Sequence, residues 1–136
     1  MSTDSLNGVV GEVARFAGDY LFRERALPNN TTINSEEHTL NNTLGRLQLT
    51  GEINRNLTLS GTNSLTVTLQ WLDGTEWRNL ATVFSASGVA TIPAGRLFAF
   101  IPVPSNTRRI HRLQVTTNFN ASEVGLTAAV ELLPLS

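Results

Sequence analysis

Residues 64–84, SLTVTLQWLDGTEWRNLATVF, decide the fold class. Leu65, Val67, Leu69 and Trp71 alternate with Thr66, Thr68 and Gln70, the period of a strand with one buried face. Asp73-Gly74 then supplies a turn, because both residues tolerate positive φ and Asp bonds its own backbone. Trp77, Leu80 and Val83 bring the chain back as a second strand. A two-stranded hairpin is marginal in water, so the rest of the chain must supply the sheet that covers it. Nothing in this hairpin is catalytic.

Outward from the hairpin, the same alternation recurs in short runs. They fall at 31–40, 44–50 and 56–60 before it, and at 88–92, 96–103, 110–117 and 124–133 after it. Asn, Gly, Ser and Pro separate them, at Asn41-Asn42, Gly51, Ser60-Gly61, Ser87-Gly88, Pro93 to Gly95, Pro104 to Asn106 and Asn118 to Ser122. Eight or nine short strands without intervening helices predict an all-β fold, an antiparallel sandwich or barrel. In the last run Leu126, Ala128, Val130 and Leu132 share one face. With Leu47, Leu49, Leu57, Leu59, Phe98, Phe100, Leu113 and Val115 they make the expected core.

Residues 5–27 have a different texture. Leu6, Val9, Val10, Val13, Phe16, Ala17, Tyr20 and Leu21 recur at helical spacing, with Asp4 or Ser5 as N-cap. Gly8, Gly11 and Gly18 weaken that helix by about 1 kcal/mol each relative to Ala, so it needs a partner. The chain is therefore divided into an N-terminal helical or extended arm, 1–30, and a β-domain, 31–136. The arm either packs on its own domain or docks on a neighbour.

Composition bounds the function. A length of 136 residues is enough for one core. No apolar run is long enough for a transmembrane helix, and the N-terminus lacks the basic and apolar regions of a secretory signal; synthesis in the cytoplasm without secretion is expected. The absence of cysteine excludes disulfides and Cys-based zinc sites. A net charge of −1 argues against broad binding to nucleic acid or an anionic membrane. All 10 basic residues are arginine, the cation enriched at protein interfaces where lysine is depleted, although codon usage in a GC-rich genome produces the same bias.

No nucleotide loop, nucleophile elbow or metalloprotease helix is present, so no enzyme activity, cofactor, metal or small-molecule substrate is expected. His38 and His111 are far apart in sequence; the Glu36-Glu37-His38 run reads as an exposed polar strand, and Asp73 with Glu76 as turn chemistry. Arg108-Arg109-Ile110-His111-Arg112 is the one basic cluster. A strand there places Arg109 and His111 on one face and Arg108, Ile110 and Arg112 on the other: either a solvated strand entry or a patch that pairs with acidic groups on a partner. The Asn-x-Ser/Thr sequons at Asn29, Asn30, Asn41, Asn56 and Asn120 follow from the abundance of Asn and Thr.

Residues 64–70 (SLTVTLQ), the acidic turn at Asp73-Gly74, the return at 77–82 (WRNLAT), the arginine-led run at 109–117 and 125–130 (GLTAAV) together resemble the small jelly-roll cement, or decoration, proteins of tailed-bacteriophage capsids. The resemblance covers about 41–133 and leaves residues 5–27 unmatched. It implies a non-enzymatic jelly roll that sits on the virion as a homotrimer and bridges major capsid proteins. On that reading the partner-facing residues are Val9, Val13, Phe16, Tyr20, Arg23 and Arg25 of the arm, with Arg108, Arg109 and Arg112. A second class is a receptor- or carbohydrate-binding sandwich of a phage fibre or tail, using Trp71, Trp77 and Tyr20 as a stacking platform.

Overall fold

The structure, a computed structural model, describes residues 19–39, 46–100 and 110–133, with side chains over 20–39, 48–100 and 110–130. Every ladder among these residues is antiparallel. One sheet runs β1-β11-β4-β9, built from Asp19–Ala26, Gly125–Leu133, Arg46–Ile53 and Gly95–Phe100. The facing sheet runs β2-β10-β6-β7, from Thr32–Asn34, Ile110–Thr117, Ser64–Asp73 and Glu76–Ser87, and the short β3, His38–Thr39, extends the β2 side on β10. β5 (Leu57–Leu59) and β8 (Ala90–Ile92) form a small ladder of their own. Strands from the two ends of the chain interleave in both sheets, the double Greek key of a jelly roll, which is the fold class expected from the alternating runs and the resemblance.

The core lies between the sheets. Leu65, Val67 and Leu69 of β6, Leu113 and Val115 of β10, Leu49 of β4 and Leu126 of β11 are fully buried, each worth about 1.5–3 kcal/mol of burial. Phe98 is buried and Phe100 half-buried beside them. Gly51 of β4 is placed where the Phe98 ring crosses its Cα; a Cβ there would overlap the ring.

The β6–β7 hairpin departs from its expected form in two ways. Asp73 and Glu76 still pair, so the loop is Gly74-Thr75, one residue later than the expected turn. Gly74 takes φ 67° at the first loop position, the requirement of a type II′ turn. The three-residue spacing of Trp77, Leu80 and Val83, which no regular strand has, comes from two bulges. Val67 pairs with Phe84 but Thr68 with Thr82, and Leu69 pairs with Ala81 but Gln70 with Asn79. Val83 and Leu80 are the extra residues, and each bulge flips the phase of the strand.

The helical stripe expected through Leu27 is overturned at its C-terminal part. Residues 19–26 form β1, an edge strand on β11 inside the sandwich, where Leu21 and Phe22 join the core. Pairing with the β11 backbone outweighs a local helical pattern because it satisfies the main chain and buries the apolar side chains together. β1 thus lies on the arm side of the division at residue 30. The rest of the expected helix, 5–18, lies outside the described residues. The run 31–40 is also split, Ser35 turning the chain between β2 and β3 with its backbone N–H on Leu113 O and its hydroxyl receiving the Leu113 N–H.

One end of the sandwich is closed by asparagines. Asn29 Oδ1 accepts the N–H groups of Ala121 (2.7 Å) and Ser122 (2.9 Å), while its Nδ2 donates to Ser122 Oγ at 3.0 Å. Asn54, Asn56 and Asn118 accept the N–H groups of Gly125, Ala94 and Ser64 at 2.8, 2.8 and 2.7 Å. Thr117 adds a buried bond of 2.6 Å from its hydroxyl to Pro28 O. The abundance of Asn thus has a structural cause: its short amide satisfies backbone donors that loops leave unpaired.

Candidate functional site

The opposite end of the sandwich is formed by the other ends of the same strands. The ladders place Asp19, Arg46, Phe100 and Leu133 at one end of the first sheet, and Thr39, Ile110 and the Gly74 turn at the same end of the second. Apart from the turn, these are the described residues that border segments 1–18, 40–45, 101–109 and 134–136. Val9, Val13 and Phe16, and Arg108 and Arg109, belong to two of these segments and lie outside the described residues. Sequence order alone separates them by most of the chain.

Arg112 is on the outward face of β10, as the alternation requires, because Leu113 and His111 point inward. Its guanidinium carbon lies 4.2 Å from the centroid of the Trp77 ring, and its Nε donates to Gln70 Oε1 at 2.8 Å. Gln70 in turn donates through Nε2 to Asn79 Oδ1 at 2.9 Å. Burial pulls the Arg112 pKa down and the charge of Glu37 opposes that. The basic cluster thus has a stacked, hydrogen-bonded member rather than a freely solvated one.

On the inward face, β3–β10 pairing sets His38 directly opposite His111, and β10–β6 pairing sets His111 opposite Trp71. His111 is buried and His38 half-buried, which corrects the expectation of an exposed polar strand for His38; Glu36 and Glu37 are exposed as expected. No sequence signal gives this pair, since it depends on the register of a two-residue strand. Trp71 is half-buried at the rim of the core. Among the described residues no three His, Asp or Glu side chains converge as metal ligands.

Tyr20, Arg23 and Arg25 come from β1. Arg23 lies 4.2 Å over the Tyr20 ring. The β1–β11 register shifts between Phe22 and Arg25, and Glu24 takes φ 48° with its N–H on Thr127 Oγ1 at 3.0 Å. That bulge leaves Arg23, Glu24 and Arg25 all exposed. Between β1 and β2 a groove of about 350 Å³ is lined by Tyr20, Phe22, Arg23, Arg25, Asn34 and Glu36. At the hairpin tip Arg78 binds both turn carboxylates, Asp73 at 2.6 Å and Glu76 at 3.1 Å, in an exposed triad. These carboxylates fasten the turn.

No protein-family model and no curated protein matches the chain. Solved structures similar to it include a chain of the T13 IBDV viral particle, at 20% identity and a TM-score of 0.42, over 87% of this chain and 29% of that one. The chain thus spans less than a third of that structure's length. A pentameric capsid protein isolated from metagenomic phage sequences appears in two crystal structures. The matches are at 20% and 19% identity with TM-scores of 0.33 and 0.32, cover 97% of this chain in both, and span 79% and 84% of the other.

Proposed function

We propose that this chain is a structural virion protein, a non-enzymatic jelly roll that binds the outer surface of a phage capsid as a homotrimer and bridges major capsid proteins. The observation that carries the reading is the seating of the cement-like sequence motifs on this strand order. SLTVTLQ is β6, the WRNLAT return is β7, the arginine-led run is β10 and GLTAAV opens β11. A stiff two-sheet body suits a clamp, since a ligand that binds only the assembled shell stabilises it by mass action. Asp19, Phe100 and Ile110, the described residues that adjoin segments 1–18 and 101–109, lie at one end of the body, and this end is the one proposed to meet the shell and neighbouring copies.

Sedimentation with undecorated heads tests this directly. Stoichiometric co-sedimentation supports the proposal, and protein that stays in the supernatant at micromolar concentration overturns it. Native mass spectrometry tests the trimer separately, where a monomer at the same concentration removes the symmetric-clamp part of the reading.

A further inference from the structure

The outward face of the five-stranded sheet has a composition that neither the core nor the hairpin explains. Since Leu65, Val67 and Leu69 point inward, the register aligns Thr66, Thr68 and Gln70 of β6 with outward neighbours on β10, β2 and β7. The first row is Thr32, Thr116, Thr66 and Ser85, in which the Thr32 and Thr116 hydroxyls lie 2.9 Å apart. The next is Asn34, Gln114, Thr68 and Thr82, in which Gln114 Nε2 donates to Asn34 Oδ1 at 3.2 Å. The third is the Arg112–Gln70–Asn79 chain already described, and beyond it lies a row of Thr39, Ile110, Leu72 and Trp77.

Arg112 is the one charged side chain among the described outward positions of these strands, and it is engaged within the face by Gln70 and Trp77. A solvent-facing sheet surface this large is ordinarily dotted with Glu, Lys and Arg; this one is three rows of mostly hydroxyls and amides ending in one apolar row. Such a face offers an acidic partner a single cation that Gln70 and Trp77 already engage, and offers a basic partner no charge at all. An apolar partner would strip its polar groups of water and return no hydrogen bonds. A neutral polyhydroxylated ligand returns those bonds and desolvates no isolated charge. Same-face residues recur about every 6.5–7 Å along a strand, so a linear repeating ligand can cross successive rows.

We propose that this face binds a neutral polysaccharide chain, held by the Thr, Asn and Gln rows and packed at one end on the apolar row of Ile110, Leu72 and Trp77. A face with one cation, itself engaged by its neighbours, is matched by a neutral polymer, and that match singles out the ligand class. The inference stands independently of capsid binding.

The test is native affinity electrophoresis of the full chain through dextran, soluble starch, laminarin and galactomannan, with dextran sulfate in parallel. Retardation by at least one neutral polymer is expected. Trp77→Ala lowers the affinity about tenfold, near the upper end of what a single aromatic contact contributes. Thr82→Glu, at an exposed position, abolishes retardation while leaving the thermal melt in place, so it decides the matter if Trp77→Ala fails to fold. Retardation by none of the neutral polymers, or by dextran sulfate alone, overturns the proposal. So does retardation undiminished by Thr82→Glu, or self-association of the free protein that Thr82→Glu removes, which would make the face a contact between copies.

Discussion

Gly51→Ala should destabilise this protein, although strand positions ordinarily favour Ala. In a strand interior the exchange normally gains about 0.5–1 kcal/mol because Gly has more backbone freedom to lose on folding. Here the new methyl meets the Phe98 ring, which is buried in the core and held on the neighbouring strand β9. Overpacking of this kind costs about 1–3 kcal/mol. Two ring carbons overlap the new methyl, which places the cost in the upper half of that range, so the net is a loss of about 1–2.5 kcal/mol, or several degrees in melting temperature for a domain of this size. The assay is urea denaturation at one fixed protein concentration, so that any association contributes equally to every variant. Phe98→Leu clears the ring, and in that background Gly51→Ala should be neutral or stabilising. The double-mutant cycle should therefore show a coupling of about 1–3 kcal/mol. A Gly51→Ala protein as stable as the parent, or no coupling to Phe98, would refute the packing argument.

Asn29→Ala removes two backbone acceptor bonds and one donor bond at the loop end and should cost about 2–3 kcal/mol, whereas Asn29→Asp keeps the acceptors and should cost less; chemical denaturation compares the two. Thr117→Val leaves Pro28 O without its hydroxyl donor in a buried site, and a loss of about 1–3 kcal/mol is expected in the same assay. Arg78→Ala breaks an exposed ion-pair triad, so its effect should stay below about 1 kcal/mol and shrink further in high salt. Gly74→Ala forces a side chain into φ 67° at the hairpin turn and should lower stability by about 1 kcal/mol, whereas Thr75→Ala beside it should be nearly silent in thermal melts.

The sequence by itself determined that the chain after residue 31 is a series of short strands and, for the regular ones, which face is apolar. Strand periodicity and turn chemistry are local, so β6, β10 and β11 could be read from alternation in Leu65–Val67–Leu69, Leu113–Val115 and Leu126–Ala128–Val130. Tertiary structure decided what local pattern cannot encode, namely which strands are neighbours and in which register. The β11 edge drew residues 19–26 out of a helical pattern into a strand. Pairing with β6 put the bulges at Leu80 and Val83. Two histidines more than seventy positions apart became cross-strand neighbours only because β3 seats on β10. The alignment of Asp19, Phe100 and Ile110 at one end, and the polar rows on the outward face of the five-stranded sheet, likewise arise from long-range backbone hydrogen bonding, whose partners the chain specifies only once the whole core has closed.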